Sequence, residues 1–596
     1  MKRIITLLLA LVFILALFAG CNNNTNNDTT GTTAPSATNS GGTTGNNDAG
    51  NSGGTSTEGE QSSPYNLAVN TDGTLKYGVD ANGYPIEPYD YELPLTTAGD
   101  ALTYWTTCWV PNDIPADADG QYGRTPYPEE LKKRTGVNIE YVIAADAMTD
   151  FSVLMASQEL EDIMSGVAWY YQEKPFREAV LSEGYWINIY DYKDYAPNYL
   201  YQVTKDPSDT EMFDRTFPEP GLILSFPMLW DSGEIQMNYM ARGDWLDLYG
   251  KTAADIKTVD QYHDFLTWCK ANTTDYPHYI YQTMDMAGTS IWTMYDTFAV
   301  VNGGAYVIDG AVQWTGVTSR DKQQAELFRT WNEEGLIDPE WESFVTNQEI
   351  DGGVFDTRYA FVQTTANGAM EHNAALFSQN ANAETGWLPV TRPVLTEGQT
   401  LHLGGQASRF HYGSSCVAQS CENIELAVTW IDYKYSDEGA FLNTFGVEGI
   451  SFEFNEKGEP SFTEFMYANP TGQNLTMLAT LYCLNELSDA GMRSNMGRWA
   501  FPGSEAPDAY RVWADFKYDN AYTWPSSVQF SEYQQSQLNI YTGDVSTFLT
   551  ENFIQFINGS KSMAEWDSFV ETANTYGVTS ILQIYQEAYD TWKRTH

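Results

Sequence analysis

Basic residues are scarce in this chain. Its 596 residues include 31 Lys and Arg against 79 Asp and Glu, which gives a formal net charge of −48. Such a field repels the phosphates of nucleic acids and anionic lipid headgroups. The composition therefore argues against nucleic acid as a partner, although it does not identify a ligand.

Cysteine and histidine are also sparse, with six of each. Five cysteines follow the first one, and an odd, scattered set does not indicate a disulfide scaffold. Cys416 and Cys421 are close enough in sequence to pair, but buried free thiols are the better interpretation for most of the five. Asp113, Asp117 and Asp119 leave a calcium site open, although their spacing does not match an EF-hand.

Sequence motifs of common enzymes are missing as well. The chain has no G-x-S-x-G elbow, no H-E-x-x-H, no phosphate-binding G-x-x-x-x-G-K-[ST] loop and no C-x-x-C. We therefore predict that the protein is not an enzyme and that it needs no cofactor.

Long apolar runs are limited to one, at the start of the chain. Lys2 and Arg3 precede the run from Ile4 to Phe18, which is shorter than the roughly 20 residues of a membrane span. The run ends before Cys21 and resembles a bacterial lipobox, in which the cysteine carries the lipid. We expect residues 1–20 to be a lipoprotein signal peptide and Cys21 to anchor the protein outside the cytoplasm, on the cell membrane.

The segment after Cys21 has almost no apolar side chains. Asn, Thr, Ser and Gly dominate from Asn22 to about Pro64, and such a composition cannot offset the entropy of ordering the chain. We expect residues 21–97 to be the lipidated cysteine and a disordered tether. The folded part, 98–596, is too long for one ordinary core, so two lobes are expected.

Aromatic residues, in contrast, are abundant. The chain has 18 Trp, 39 Tyr and 28 Phe, or 14% of its residues. Sugar rings present flat C–H faces that pack on aromatic faces, so an exported protein of this composition favours carbohydrate contact. Composition supports this interpretation only in general terms.

The start of the folded part alternates between strand and helix patterns. We predict strands over 101–110, 137–142 and 162–164, with helices over 126–134 and 148–158 between them. This alternation is typical of an α/β lobe with a largely parallel sheet.

Six segments of the chain carry a set of related sequence patterns. They are KRTGV at 133–137, LMASQELEDI at 154–163, RGDWLDLYG at 242–250, NEEGLIDPE at 332–340, WIDYKYSDEG at 430–439 and the tail over 552–577. In their order and spacing these segments resemble family 1 extracellular solute-binding proteins of ABC importers, in the long lipoprotein branch of Gram-positive bacteria.

The resemblance implies an α/β type II periplasmic-binding-protein fold, in which a hinge joins two α/β lobes around a ligand cleft. It places 98–229 plus 400–450 in lobe 1 and 235–390 plus 460–596 in lobe 2. It also implies a monomer that captures a small-molecule solute, expected to be an oligosaccharide, and delivers it to an ABC transporter permease.

Ligands of such folds lie beyond the carboxyl ends of strands. Each aromatic residue there has core packing as its alternative, and Glu371 has a solvated surface position as its alternative. The predicted ligand-binding residues are Trp105, Trp109, Trp169, Tyr170, Trp230, Asp231, Trp292 and Glu371.

Two other functions stay open. A lipid-anchored glycoside hydrolase would need two carboxylates about 5–5.5 or 6.5–9.5 Å apart, one of them with a raised pKa. A surface adhesin would bind a protein and would lack an enclosed cleft between lobes.

Overall fold

A computed structural model describes residues 63–594 of the chain, apart from several internal segments. The predictions for Cys21, Trp292 and Glu371 lie outside the described residues. The segments left out are 172–173, 234–236, 281–303, 345–352, 355–357, 366–371, 374–375, 378, 381–384, 404–407, 412–414, 468–472, 474, 486–487, 499, 501–508, 510, 514–518 and 526.

Strands and helices alternate through the described residues. The strands are β1 Ala101–Thr107, β2 Asn138–Ala144, β3 Ile163–Met164, β4 Met228–Trp230, β5 Met237–Arg242, β6 Ala305–Ile308, β7 Ala311–Trp314, β8 Phe361–Thr365, β9 Trp387–Pro389, β10 Cys416–Val417, β11 Phe452–Phe454, β12 Pro460–Phe462 and β13 Gly491–Arg493. The helices are α1 Pro126–Thr135, α2 Ala147–Ser157, α3 Val167–Tyr170, α4 Phe176–Leu181, α5 Pro197–Thr204, α6 Thr210–Thr216, α7 Gly243–Tyr249, α8 Val259–Asn272, α9 Ser319–Glu333, α10 Ile424–Tyr433, α11 Asp437–Phe445, α12 Glu464–Tyr467, α13 Leu475–Tyr482, α14 Glu532–Ile557, α15 Trp566–Ala573 and α16 Thr579–Trp592.

The first sheet has the order β10-β3-β1-β2. Strands β2 and β3 pair with β1 in parallel, and β10 adds an antiparallel edge. Helix α1 begins with Pro126, and Gly136 ends it with a φ of 71°, which is favourable for glycine. The predicted strand–helix alternation and the α/β class are confirmed.

Buried apolar residues form two large cores. The first runs from Leu95 to Met492 along the chain, and the second runs from Tyr239 to Ile584. The chain therefore passes from one core to the other three times: between Trp230 and Tyr239, between Val390 and Phe410, and between Met492 and Ala509.

The second core surrounds an antiparallel sheet with the order β8-β5-β9. Helices α8 and α9 each begin with a threonine capping box, at Thr258 and Thr318, which satisfies free backbone N–H groups. Helices α14 and α15 contribute buried aromatic side chains to the same core, and α16 contributes Ile581 and Ile584. None of the described helices is both long and apolar enough to cross a bilayer.

The segment that resembles the family at 242–250 has a structural role in the second core. The guanidinium of Arg242 is buried, and its Nε and Nη2 donate to the two carboxylate oxygens of Asp244 at 2.8 and 2.7 Å. The same guanidinium lies 4.1 Å from the ring centroid of Trp245. The two-point bond and the stacking fix the turn that leads from β5 into α7.

Residues between 475 and 493 pack against β4 and against Lys434, which follows α10. Strand β13 pairs in parallel with β4, and Lys434 forms a buried ion pair with Asp489 at 2.8 Å. The sequence assigned this stretch to lobe 2, but its neighbours are residues assigned to lobe 1. The lobe boundaries themselves stay a prediction.

Residues 63–97, which we expected to be part of a disordered tether, pack on the first core. Tyr84 lies against Phe213 and Phe217, and the hydroxyl of Tyr91 donates to Asp432 at 2.7 Å. Tyrosines in this stretch supply the apolar surface that the Asn- and Thr-rich segment before it lacks. The tether expected over 21–97 is therefore shorter at its carboxyl end.

Candidate functional site

The ends of β1 and β3 are held together at one edge of the first sheet. The Ser165 hydroxyl donates to the Thr106 hydroxyl at 2.7 Å, and the Ser165 amide donates to the carbonyl of Trp105 at 3.0 Å. Gly166 follows with a φ of 69°, and a Cβ there would lie 3.0 Å from the Tyr170 ring. This glycine lets the chain turn from β3 into α3, which carries Trp169 and Tyr170.

Two of the predicted tryptophans are exposed and two are buried. Trp109 and Trp169 are 47% and 52% exposed, so about half of each residue is open to solvent. Trp105 and Trp230 are buried in the first half of the chain. Trp105 contacts Tyr170 edge-on, with ring centroids 5.5 Å apart. Ligand contact by any of these residues stays a prediction.

Trp230 and Asp231 lie where the chain leaves β4 for the second core. The guanidinium of Arg498 lies 4.0 Å from the Trp230 ring centroid. The carboxylate of Asp231 accepts bonds from the Ser494 hydroxyl and from the Asn495 amide, the latter at 3.0 Å. These contacts connect the start of the first crossing, after β4, with the start of the third crossing, after β13.

A cavity of about 380 Å³ lies between two segments that are far apart in the sequence. One wall comes from 168–176, next to α3 and α4, and the other comes from 528–539, at the start of α14. Phe176 and Phe530 supply aromatic surface. The amides of Gln535 and Asn539, bonded to each other at 3.0 Å, supply polar groups on the opposite wall.

A second cavity, of about 340 Å³, adjoins the first and shares Tyr171 and Lys174 with it. Three tyrosines and Phe151 line it, together with Glu183. The Tyr171 hydroxyl donates to Glu183 at 2.6 Å, and Lys174 forms an ion pair with the same carboxylate. The bonds from Lys174 and Tyr171 lower the pKa of Glu183, so this acid is ionised at neutral pH.

The sequence pointed to α3 as part of the site but missed the opposite wall. Gln529, Gln535 and Asn539 were not singled out, because polar amides carry no motif of their own. Ser531 with Gln534 forms a capping box, and this S-x-x-Q pattern was the available sign that a helix begins there.

In the described part of the chain, no group of three or more His, Cys, Asp or Glu residues is arranged to hold a metal ion. Two of the acids that left calcium open have protein partners: Asp119 pairs with Arg124 at 2.6 Å, and Asp113 accepts a bond from Gln473 at 2.9 Å. Cys416 and Cys421 are free thiols.

Comparison with solved structures shows what the fold is similar to. The alginate-binding protein AlgQ2 superposes with a TM-score of 0.62 at 16% identity, over 83% of this chain and 99% of that one. The Streptococcus pneumoniae ABC-transporter substrate-binding protein FusA, in complex with kestose, gives 0.61 at 17% identity, over 83% and 100%. A human-milk-oligosaccharide-binding solute-binding protein from Bifidobacterium longum infantis gives 0.63 at 15% identity, over 83% and 99%.

These structures are solute-binding proteins of ABC transporters or sugar-binding proteins with two lobes, and the expected α/β periplasmic-binding fold is confirmed. No protein-family model matches the sequence. No curated protein matches it either.

Proposed function

We propose that the protein binds an oligosaccharide outside the cytoplasm and delivers it to an ABC importer. The observation that carries this proposal is the cavity between 168–176 and 528–539, which combines aromatic faces with amide side chains. Aromatic faces suit the C–H faces of sugar rings, and amides both donate to and accept from hydroxyl groups. The similar structures of FusA with kestose and of the human-milk-oligosaccharide-binding protein support the same class of ligand.

The lobes proposed for this function follow the packing of the two cores. One lobe comprises 98–231 with 408–500, and the other comprises 237–403 with 509–594. A ligand that touches both walls stabilises the closed arrangement, because only that arrangement offers both sets of contacts. Trp109 and Trp169 are not among the described lining residues of the two cavities. Trp169 stands between Ala168, which lines the first cavity, and Tyr170, which lines the second, so we expect a ligand to reach its exposed ring.

Attachment through Cys21 and delivery to a permease complete the proposal. The lipid would keep the protein at the membrane surface, where a two-chain anchor is stable. The permease and its ATPase are separate chains.

A hydrolase is the weaker alternative. Among the described residues that line the two cavities, Glu183 is the one carboxylate, and its pKa is lowered rather than raised. A glycosidase needs a second carboxylate and a general acid that keeps its proton near neutral pH. The described cavities therefore favour binding without cleavage.

The test uses the full-length chain in a detergent that contains no sugar. Calorimetry against maltose-series oligomers, kestose and nystose should find at least one ligand of about micromolar affinity, near −8 kcal/mol. The ligand should be recovered intact after prolonged incubation. Cleavage of the sugar, or the absence of binding by every oligomer, would contradict the proposal.

A matched pair of variants locates the site. Gln535→Ala removes an amide from the wall of the cavity, where it bonds Asn539 at 3.0 Å four residues on. Gln583→Ala removes an equivalent amide on α16, which bonds Glu587 at the same distance and spacing. We expect the first variant to weaken binding about 10-fold, as for one lost hydrogen bond, and the second to leave it unchanged.

A further inference from the structure

The two cavities adjoin each other, and this adjacency bears on the size of the ligand. Tyr171 and Lys174 belong to the lining of both. Each cavity alone is near the lower end of the ~300–1,000 Å³ that ligand pockets occupy. The described lining of the first comes from two segments far apart in the sequence, whereas that of the second comes from one stretch, between Phe151 and Tyr185.

The second cavity has the surface that a sugar ring needs. Tyr170 packs edge-on against Trp105 and lies 5.7 Å from Phe151, so its ring is held from two sides. Tyr171 is held in the same way, because it packs on Phe176 and on Trp186. Rings that are already fixed lose little entropy when a ligand covers them.

The charges in the two cavities cancel. Lys174 and Glu183 are the charged side chains among the described lining residues, and they pair with each other. Glu532, at the start of α14, adds a further negative charge that acts on Lys174. A carboxylate on the ligand would find no cation that lacks a partner there, and it would enter the field of a chain with a net charge of −48.

We propose that the ligand is a neutral oligosaccharide of three or more rings, which fills the cavity between the lobes and continues past Tyr171 into the cavity beside α2. This inference rests on the proposed function and adds the length and the charge of the ligand to it. The end beside α2 touches one lobe, so it contributes affinity without taking part in closure.

A variant on α2 distinguishes the contributions of the two cavities to binding. Ala156 is exposed and lines only the second cavity, so Ala156→Trp fills that cavity without disturbing a core. Val153→Trp is the matched control: Val153 is 61% exposed on the same helix and lines neither cavity. Circular dichroism and thermal melting check that both variants fold.

The experiment measures the affinity of the full-length chain for maltose-series oligomers of two to six units, for sucrose, kestose and nystose, and for oligogalacturonides of matching length. In the unmodified chain, affinity should rise at least 10-fold from the disaccharide to the longer members of one neutral series. Ala156→Trp should abolish that rise and leave the disaccharide unchanged, while Val153→Trp should keep it.

Three results would overturn the inference while leaving saccharide binding intact. They are an equal loss for all lengths in Ala156→Trp, no loss for any length, and oligogalacturonides that bind as tightly as neutral oligomers. If no saccharide of the panel binds the unmodified chain, the proposed function and this inference both fail.

Discussion

Removing the buried ammonium of Lys434 should cost the protein much of its stability. Its side chain is fully buried, and that of its partner Asp489 is 9% exposed. Asp489 also accepts a bond from the Tyr104 hydroxyl and one from the Ala490 amide, the latter at 2.7 Å. Lys434→Met keeps most of the volume but leaves a buried carboxylate without its cation, which typically costs about 3–5 kcal/mol.

A second substitution should return most of that loss. Asp489→Asn in the Lys434→Met background removes the unpaired charge and keeps an oxygen that can accept the Tyr104 hydroxyl. The double variant should therefore lie within about 2 kcal/mol of the unmodified chain. Lys133→Met is the control, because Lys133 is 75% exposed in its pair with Glu130 and should contribute less than about 0.5 kcal/mol.

Urea unfolding followed by tryptophan fluorescence and circular dichroism measures these free energies. The ion pair connects Asp489, which lies before the third crossing, with Lys434 at the end of α10. A large loss in the free energy of unfolding would therefore support assigning 460–500 to the first lobe. A cost below about 1 kcal/mol for Lys434→Met, or no recovery in the double variant, would refute the reasoning.

Three further predictions concern single residues. Trp169→Ala should weaken saccharide binding about 10-fold in calorimetry, because covering about 60 Å² of ring at ~25 cal/mol per Å² gives about 1.5 kcal/mol. Tyr276→Ala removes a similarly exposed ring and should leave saccharide binding unchanged. Arg242→Lys should lower the free energy of unfolding by about 1–3 kcal/mol and leave ligand affinity unchanged, because lysine cannot make the two-point bond to Asp244. Burial raises the pKa of Asp432 to about 7, so the folded chain keeps a proton there that the unfolded chain loses near pH 4. This group should therefore make the free energy of unfolding fall as the pH rises from 4 to 7. Asp432→Asn should remove that part of the pH dependence in urea titrations at several pH values.

The first lobe was largely predictable from sequence because its elements are local. β1, α1, β2, α2 and β3 each carry their own periodicity, and Gly136 marks the end of α1 where a positive φ is required. The position of 475–493 was not predictable, because it depends on a pairing between β13 and β4 that are more than 250 residues apart. No local pattern encodes such a register.

The candidate site shows the same division. Trp169 followed from its place after a short strand, and the structure leaves it exposed. Trp105 satisfied the same rule, yet it is buried, because both faces of β1 are covered there: Tyr104 and Thr106, on the opposite face, are buried as well. The amide wall of α14 was missed because Gln535 and Asn539 acquire meaning only from the residues that they face across the cavity.

The distance across the cavity mouth tests the central claim most directly. Spin labels at Leu181→Cys and Tyr533→Cys would be placed in a Cys108→Ser background. Both positions are exposed, and they lie on α4 and α14, the helices that contribute Phe176 and Gln535 to the cavity. With the tightest-binding neutral oligosaccharide, the account predicts a shorter and narrower distance distribution than without it. An identical distribution with and without bound sugar would contradict the account.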